Sequence, residues 1–177
     1  MLYYKKVSSP LGAITLRSDG EALTGLWFEH DKHYGDNDIA GAKEADLAVF
    51  LQAEQWLAEY FSGKEPQVKV PLKFSGTPFQ LLVWEILQKI PYGKLTTYGD
   101  IAKAIASHKG LKRMSAQAVG GAVGRNPLCI IIPCHRVVGA NGSLTGYGGG
   151  IKRKVALLEL EKVDMTKLTV PISGTAL

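Results

Sequence analysis

Cysteine and long apolar runs are what this chain of 177 residues has least of. Its two cysteines, Cys129 and Cys134, lack the Cys-x-x-Cys spacing of zinc and redox motifs, and a disulfide across so short a loop is geometrically unfavourable. No apolar stretch approaches the roughly 18–20 residues that span a bilayer, and Met1–Lys6 lacks the apolar segment of a secretory signal. We therefore expect a protein of the cytoplasm, or of the nucleus in a cell that has one, without disulfides or membrane contact.

The excess of positive charge is also small: the chain has 21 Lys and Arg against 16 Asp and Glu, which gives a net charge of +5. This charge is compatible with a nucleic-acid partner but does not require one. A hydrophobic content of 46% with 21% charged residues is typical of a globular chain, which excludes general disorder. His30 and His33 lack cysteine or carboxylate partners at ligand spacing, so we interpret them as solvated and expect no metal site.

The order of apolar and turn residues predicts an α+β fold. Alternation within residues 1–30 predicts three short antiparallel strands, and helical spacing from Glu44 to Phe61 predicts a covering helix. After the proline-bracketed stretch Pro66–Pro71 the chain becomes mostly helical, with helix starts at Thr77, Thr96 and Ser115. The predicted domains are an N-terminal supporting domain (1–70), a winged-helix-like C-terminal domain with a helix-turn-helix (71–165), and a loosely ordered tail (166–177).

The helix predicted over residues 115–124 consists almost entirely of small side chains. Its adjacent Gly120 and Gly121 each cost roughly 1 kcal/mol relative to alanine. A helix that accepts this cost packs very closely, either in a crowded core or against a ligand, and the sequence alone weighs these two interpretations equally. The basic loop 107–114 before it and the short link through Arg125 towards Cys134 favour the ligand.

The most reactive pair in the chain is the Cys134 thiol beside the His135 imidazole. Pro133 fixes φ just before the thiol, and the cationic neighbours His135 and Arg136 favour a thiolate. In an extended chain consecutive side chains point to opposite faces, so a turn or a bridging water has to connect the pair. The sequence therefore predicts a bend at a nucleophilic cysteine.

Other interpretations of the cysteines stay open at this point. A carboxylate that orients His135 is expected from the last helix, where spacing does not choose between Glu159 and Glu161. Cys134 could instead be a buried structural thiol beside a solvated histidine. Cys129 is interpreted only as a core residue, because it lies in the apolar run Leu128–Ile132, which we predict to be a strand.

Three segments together closely resemble the O6-alkylguanine-DNA alkyltransferases. They are Asn126–Pro127, Pro133–Val137 (Pro-Cys-His-Arg-Val) and Gly146–Gly150 (Gly-Tyr-Gly-Gly-Gly). The resemblance runs from about residue 77 to residue 162, and residues 1–70 are similar to the family's smaller N-terminal domain in pattern only. The Pro-Cys-His-Arg-Val core is highly specific for this family.

The resemblance implies direct repair of double-stranded DNA that contains O6-alkylguanine, with O4-alkylthymine as a further possible substrate. Such proteins flip the damaged base out of the duplex. Their cysteine thiolate takes the alkyl group in one displacement and is not regenerated, so each molecule acts once. The resemblance implies no metal or organic cofactor, and we expect a monomer.

Position by position, the resemblance assigns roles to the site residues. Cys134 is the alkyl acceptor, His135 is its base through a water, and Glu161 is the carboxylate that orients the histidine. Asn126 ties the preceding helix to the active-site turn, and Tyr98 donates to guanine N3. The substrate-binding residues that it implies are Val137, Tyr147, Gly148 and Gly149. The DNA-binding residues that it implies, on a helix that enters the minor groove, are Lys112, Arg113, Ser115, Ala116, Gln117, Ala118, Gly120 and Arg125.

Two features lead to hypotheses that are specific to this chain. Many members have an arginine that fills the gap left by the flipped base, whereas this chain has Gln117 there, so we expect weaker and less salt-sensitive DNA binding. The glycines Gly148–Gly150 leave the pocket wall bare, which predicts that bulkier O6-alkyl groups are accepted as well as methyl.

Alternative functions are also compatible with parts of the sequence. A cysteine hydrolase could use Cys134 and His135, but it would turn over many times. A non-enzymatic binder of alkylated DNA would lack the acceptor cysteine, which this chain has. A plain helix-turn-helix regulator would leave the Pro-Cys-His-Arg run unexplained.

Overall fold

The computed structural model of the chain describes residues 1–171. They divide into two compact units. The first unit consists of residues 1–75 together with Pro127–Cys129, and the second consists of residues 76–126 and the residues from Ile130 onward.

The first unit contains a 4-stranded sheet with the order β3-β2-β1-β4. Strands β1 and β2, and β2 and β3, pair antiparallel, whereas the short β4 pairs parallel with β1. The predicted three-stranded meander is therefore confirmed, and β4 is an addition that its polar sequence did not indicate. The strands are β1 (Tyr3–Val7), β2 (Ile14–Ser18), β3 (Leu23–Phe28) and β4 (Lys43–Glu44).

One helix, α1 (Ala48–Phe61), packs on β2 and β3. It begins later than the predicted start at Glu44, because Glu44 pairs in β4 instead. The apolar face that we predicted from helical spacing is buried, which explains why α1 lies on the sheet. The buried residues of α1 are Val49, Phe50, Ala53, Leu57 and Tyr60.

The predicted strand at Leu128–Ile132 is wrong. Leu128 forms only an isolated bridge with Leu26, and residues 129–131 form a turn in which Ile130 has a φ of 71°. An apolar run that is buried on all sides does not need a sheet partner, so its composition misled the assignment. Cys129 is buried at 3% exposure, in agreement with its interpretation as a core residue.

Up to residue 171, the second unit contains four α-helices and a two-stranded parallel ladder. The hydroxyls of Thr77 and Ser115 accept from backbone N–H groups in the first turns, as predicted, and Thr97 caps the helix whose start was expected at Thr96. Its elements are α2 (Pro78–Gln88), β5 (Thr96–Thr97), α3 (Tyr98–Lys109), α4 (Ala116–Gly124), β6 (Val137–Val138) and α5 (Ile151–Leu160). The α+β class of the chain is thereby confirmed.

Helices α3 and α4 form the helix-turn-helix. Helix α3 runs to Lys109 and ends at Gly110 in the left-handed conformation, with a φ of 66°. The loop that we predicted to begin at residue 107 therefore begins three positions later, because a helical cap at Gly110 was not considered.

The end of the described chain is more ordered than expected. Thr169 forms an isolated parallel bridge with Ser143, and Leu144 donates from its backbone N–H to the Thr169 carbonyl at 2.8 Å. Met165 and Leu168 pack against a small buried apolar cluster. Of the tail expected over residues 166–177, residues 172–177 lie outside the described part of the chain.

Candidate active site

Cys134 lies in a tight bend, as its neighbours predicted. The backbone N–H of Cys134 donates to the Ile132 carbonyl at 2.8 Å, and Pro133 between them has φ −81° and ψ 63°, the values of an inverse γ-turn. Residues Cys134–Arg136 then form a single 3-10 turn. Cys134 is 5% exposed, so the bend holds this residue in a place that is largely closed to water.

Asn126 connects the end of α4 to this bend. Its side-chain Nδ2 donates to the Ile132 carbonyl at 2.7 Å, and the side chain is 1% exposed. The Ile132 carbonyl also accepts from Cys134, so one buried oxygen holds both the turn and the asparagine. The backbone at the thiol is thus fixed relative to α4.

His135 and Glu161 form a fully buried pair. Nε2 of His135 lies 2.5 Å from Oε2 of Glu161, while Glu159 is exposed on the same helix. The pKa of His135 lies below its ordinary value, first because burial disfavours the imidazolium, and further because Arg136 and Lys154 repel a proton. Glu161 acts in the opposite direction. A neutral imidazole that donates from Nε2 has Nδ1 as its acceptor, which is the nitrogen that can take a proton.

The other oxygen of Glu161 is held by two donors. Nε of Arg136 donates to Oε1 at 2.8 Å, and the backbone N–H of Gly93 donates to the same oxygen at 2.8 Å. Nη1 of Arg136 donates to the Ile90 carbonyl at 2.7 Å. Oε2 of Glu161 therefore contacts His135, whereas Oε1 accepts hydrogen bonds from Arg136 and from the backbone of Gly93.

Lys154 is a site residue that sequence reasoning missed. Its side chain is 0% exposed, and Nζ donates to the carbonyls of Val137 at 2.5 Å and Thr145 at 2.7 Å. Burial lowers the pKa of Lys154 to about 8, and the nearby Cys134 acts in the opposite direction. A buried ammonium group near the thiol favours its ionised form. The available signal was the stripe Lys154, Leu157, Leu158 and Glu161, which lies on one helix face.

Tyr98, at the start of α3, lies beside the thiol and the ammonium. Its hydroxyl donates to the Thr145 carbonyl at 2.8 Å, and Nζ of Lys154 lies 5.9 Å from its ring centroid. Burial raises the pKa of Tyr98, and Cys134 raises it further, so the hydroxyl keeps its proton. It is therefore available as a hydrogen-bond donor at neutral pH.

The glycine segment lies against this tyrosine. A Cβ built on Gly146 would come within 2.8 Å of the Tyr98 hydroxyl, and its φ of +76° also disfavours any other residue. Tyr147, Gly148 and Gly149 are buried. The structure thus brings the expected acceptor, base, tyrosine and glycine segment together in the second unit.

The expected DNA-binding residues lie elsewhere, on the surface of the helix-turn-helix. Of that set, Gly120 is half-buried and the others are exposed: Lys112, Arg113, Ser115, Ala116, Gln117, Ala118 and Arg125. The opposite face of α4 is buried, and the Ala122 carbonyl accepts from Nε1 of Trp84 at 2.9 Å. A Cβ built on Gly121 would meet nothing within 4 Å, so packing inside the chain does not require that glycine.

Among residues 1–171 no group of three or more His, Cys, Asp and Glu side chains is placed to hold a metal ion. Within the same residues no helix is both long and apolar enough to cross a bilayer.

Comparisons with known proteins cover nearly the whole chain. Residues 2–74 match the family described as 6-O-methylguanine DNA methyltransferase, ribonuclease-like domain, and residues 78–163 match its DNA binding domain. The chain is 44% identical over 163 residues to a methylated-DNA–protein-cysteine methyltransferase of Haemophilus influenzae, covering 92% of this chain and 87% of the relative. A relative with the same description from Methanosarcina acetivorans is 42% identical over 160 residues, covering 90% and 98%.

A solved structure is similar over a comparable extent. Mycobacterium tuberculosis OGT in complex with DNA is 44% identical, with a TM-score of 0.79 over 90% of this chain and 92% of that protein. The O6-methylguanine methyltransferase of the same organism, described without DNA, is 42% identical with a TM-score of 0.78, covering 98% and 97%.

Proposed function

Because this chain belongs to the 6-O-methylguanine DNA methyltransferase family, we propose that Cys134 is the residue that receives the alkyl group. Membership makes the chain a DNA repair protein that transfers an alkyl group from O6-alkylguanine in DNA to a cysteine of its own. We also propose which residues assist this acceptor and which surface of the protein holds the DNA.

One observation supports Cys134 above all. It lies in a fixed bend next to a buried histidine–glutamate pair, and a buried ammonium group lies nearby. Cys129, the other cysteine, lies in the first unit and is buried among its core residues. Basic and cationic groups near a thiol favour the thiolate that such a transfer requires.

The transfer is a single displacement. His135 takes the thiol proton through a water, the sulfur attacks the alkyl carbon, and the bond from that carbon to guanine O6 breaks. The electron pair of the broken bond remains with guanine, and the Tyr98 hydroxyl supports it by donating to N3. The proton that His135 took from the thiol returns through water to N1 of the guanine anion, so the products are S-alkylcysteine and neutral guanine in DNA. Since no step restores the thiol, each molecule reacts once.

Guanine is recognised by backbone groups beside the thiol. The carbonyls of Cys134 and Val137 accept from its amino group, and the amide of Gly148 donates to O6. Lys154 already donates to the Val137 carbonyl, which keeps that oxygen in place. Tyr147 and Gly149 line the pocket for the alkyl group.

DNA binds along the exposed face of α4. Small residues there let the helix backbone approach a minor groove only about 6 Å wide, and the open space beside Gly121 supports this role. Lys112, Arg113 and Arg125 contact phosphates, which makes binding independent of sequence. Gln117 fills the gap that the flipped base leaves. In this proposal residues 71–165 carry binding and transfer, residues 1–70 support them, and the protein acts as a monomer in the cytoplasm.

Mass spectrometry of the full chain after mixing with an oligonucleotide that contains O6-methylguanine tests the acceptor. We expect one methyl group on the peptide that contains Cys134, no methyl group in Cys134→Ala, and normal methylation in the matched variant Cys129→Ala. Methylation of Cys129 would refute the assignment. A hydrolase would turn over without retaining the group, and a non-enzymatic binder would leave the substrate unchanged.

A further inference from the structure

Arg136 has an unusual place for an arginine. It is 8% exposed, and its guanidinium lies 5.7 Å from the ring centroid of Tyr92. Its Nε donates to Glu161 and its Nη1 donates to the Ile90 carbonyl. These two hydrogen bonds fix the orientation of the guanidinium plane. Burying a guanidinium is costly unless it is paired. The structure pairs it with the same carboxylate that contacts His135.

We propose that Arg136 is a positioning residue for the transfer, which acts through Glu161 to keep His135 neutral and aligned until it receives the thiol proton. The proposal rests on the proposed function, in which His135 is the base. It adds a group that does not contact the substrate. Arg136 and the Gly93 amide occupy Oε1 of Glu161, which leaves Oε2 directed at His135.

The charges around His135 explain why such a group is useful. Glu161 at the end of α5 favours the imidazolium, whereas Arg136 in the same turn and Lys154 on α5 disfavour it. A carboxylate beside the imidazole raises its pKa, and a protonated histidine is no base. Because burial first and then the Arg136 charge oppose that proton, the ring keeps an acceptor nitrogen for the proton of Cys134.

The pH dependence follows from this arrangement. Below the pKa of His135 the ring is protonated, so the transfer rate falls as the pH falls through that value. Removing the Arg136 charge makes His135 easier to protonate, and this acid limb moves to higher pH. An arginine that only stabilised the fold would slow the reaction by the same factor at every pH.

The experiment compares Arg136→Met with the charge-preserving Arg136→Lys in the full chain. Nuclear magnetic resonance of the labelled imidazole follows the His135 titration without DNA, and single-turnover transfer from O6-methylguanine DNA is measured across pH. For Arg136→Met we expect the titration midpoint and the acid limb to rise together by about one pH unit. Arg136→Lys restores most of both, and Arg17→Met in the first unit changes neither.

An unchanged His135 titration in Arg136→Met, or equal effects of Met and Lys, would overturn the proposal. Because the titration is measured without substrate, it remains decisive even if Cys134 is not the acceptor. If Arg136→Met does not fold, Arg136→Lys is combined with Glu161→Gln. An effect through Glu161 predicts that the small rate loss that remains in Arg136→Lys disappears in the Glu161→Gln background, whereas additive losses contradict it.

Discussion

The two units of the chain treat charge in opposite ways. In the first unit, ion pairs such as Lys5 with Asp46 and Lys73 with Asp19 lie at the surface. In the second unit His135, Arg136, Lys154 and Glu161 are all buried, and among residues 1–171 every buried His, Arg, Lys, Asp or Glu side chain belongs to that unit. The first unit therefore follows the usual rule for charge, and the second departs from it.

The buried charges of the second unit therefore cost free energy of folding that the surface charges of the first unit do not. Surface ion pairs contribute little, and replacing a buried ionic network by apolar residues of similar volume is often neutral or stabilising. Four buried ionisable groups are thus not explained by folding alone. Their presence in the same unit as Cys134 is what the proposed transfer to that thiol would require.

The sharpest test of this contrast removes a charge from each unit. Glu161→Gln leaves buried Arg136 and His135 without their carboxylate, so the free energy of unfolding should fall by about 3–5 kcal/mol. The exposed Glu159→Gln on the same helix and Asp46→Asn in the first unit should change it very little. Urea denaturation followed by circular dichroism measures all three. A similar loss in Glu161→Gln and Asp46→Asn would remove the contrast.

The pH dependence of stability should also differ between the units, because of Lys154. Burial lowers its pKa from 10.5 to about 8, so the unfolded chain binds more protons than the folded chain between these pH values. Stability contributed by this group therefore rises with pH across that window, by on the order of 2 kcal/mol. Lys154→Met should lose the rise, and the exposed Lys152→Met should keep it. Parallel urea titrations from pH 7 to 10 would show the difference.

Thiol reactivity provides a third comparison. In a Cys129→Ala background, Lys154→Met should slow alkylation of Cys134 by iodoacetamide at neutral pH by about tenfold, since a buried cation near the thiolate is lost. Lys152→Met, at an exposed position of the same helix, should react at the parental rate. Equal rates in the two variants would show that Lys154 acts only as a structural group.

A smaller effect is expected at the surface of the second unit. Gln117→Arg should tighten binding to duplex DNA several-fold and steepen its salt dependence by up to about one counterion. Gln117→Ala should not change the salt dependence. Fluorescence anisotropy with Cys134→Ala protein separates binding from transfer. If Gln117→Arg changed neither affinity nor transfer rate, the role of this residue beside the flipped base would be wrong.

The smallest expected difference concerns the alkyl group. If Gly148–Gly150 leave the pocket wall open, O6-benzylguanine should react with Cys134 at a rate within about tenfold of that for the free O6-methylguanine base. Parallel reactions of the protein with the two free bases, read by mass spectrometry, measure the two rates. Failure of the benzyl compound under conditions in which methyl transfers would mean that the buried segment closes the pocket.

Much of the fold followed from the sequence because local signals were strong. Thr77 and Ser115 marked helix starts through their own hydrogen bonds, and the alternation in residues 1–30 gave the meander. The strand β4 did not follow, because two polar residues carry no pattern until β1 lies beside them. The apolar run at Leu128–Ile132 failed for the opposite reason, since burial on all sides removes the alternation that identifies a strand.

Features of the site that depend on one residue and its sequence neighbours could be predicted. Contacts between residues that are distant in sequence could not. Pro133 implied the bend at Cys134, which the structure shows. The choice between Glu159 and Glu161 depends on how α5 packs, which spacing does not specify. Lys154 follows two other basic residues, Lys152 and Arg153. All three are positively charged, so composition does not show that Lys154 is the one that is buried.

The Thr145 carbonyl accepts from both the Tyr98 hydroxyl and the Lys154 ammonium. A carbonyl oxygen has two lone pairs, so either donor can leave while the other still satisfies the buried acceptor. If Tyr98 turns towards a guanine as proposed, the exchange would cost only the difference between two ordinary hydrogen bonds, on the order of 1 kcal/mol. The hydrogen bond from Tyr98 to Thr145 is therefore easily broken and remade, and the hydrogen bond from Lys154 keeps the Thr145 carbonyl paired in the meantime.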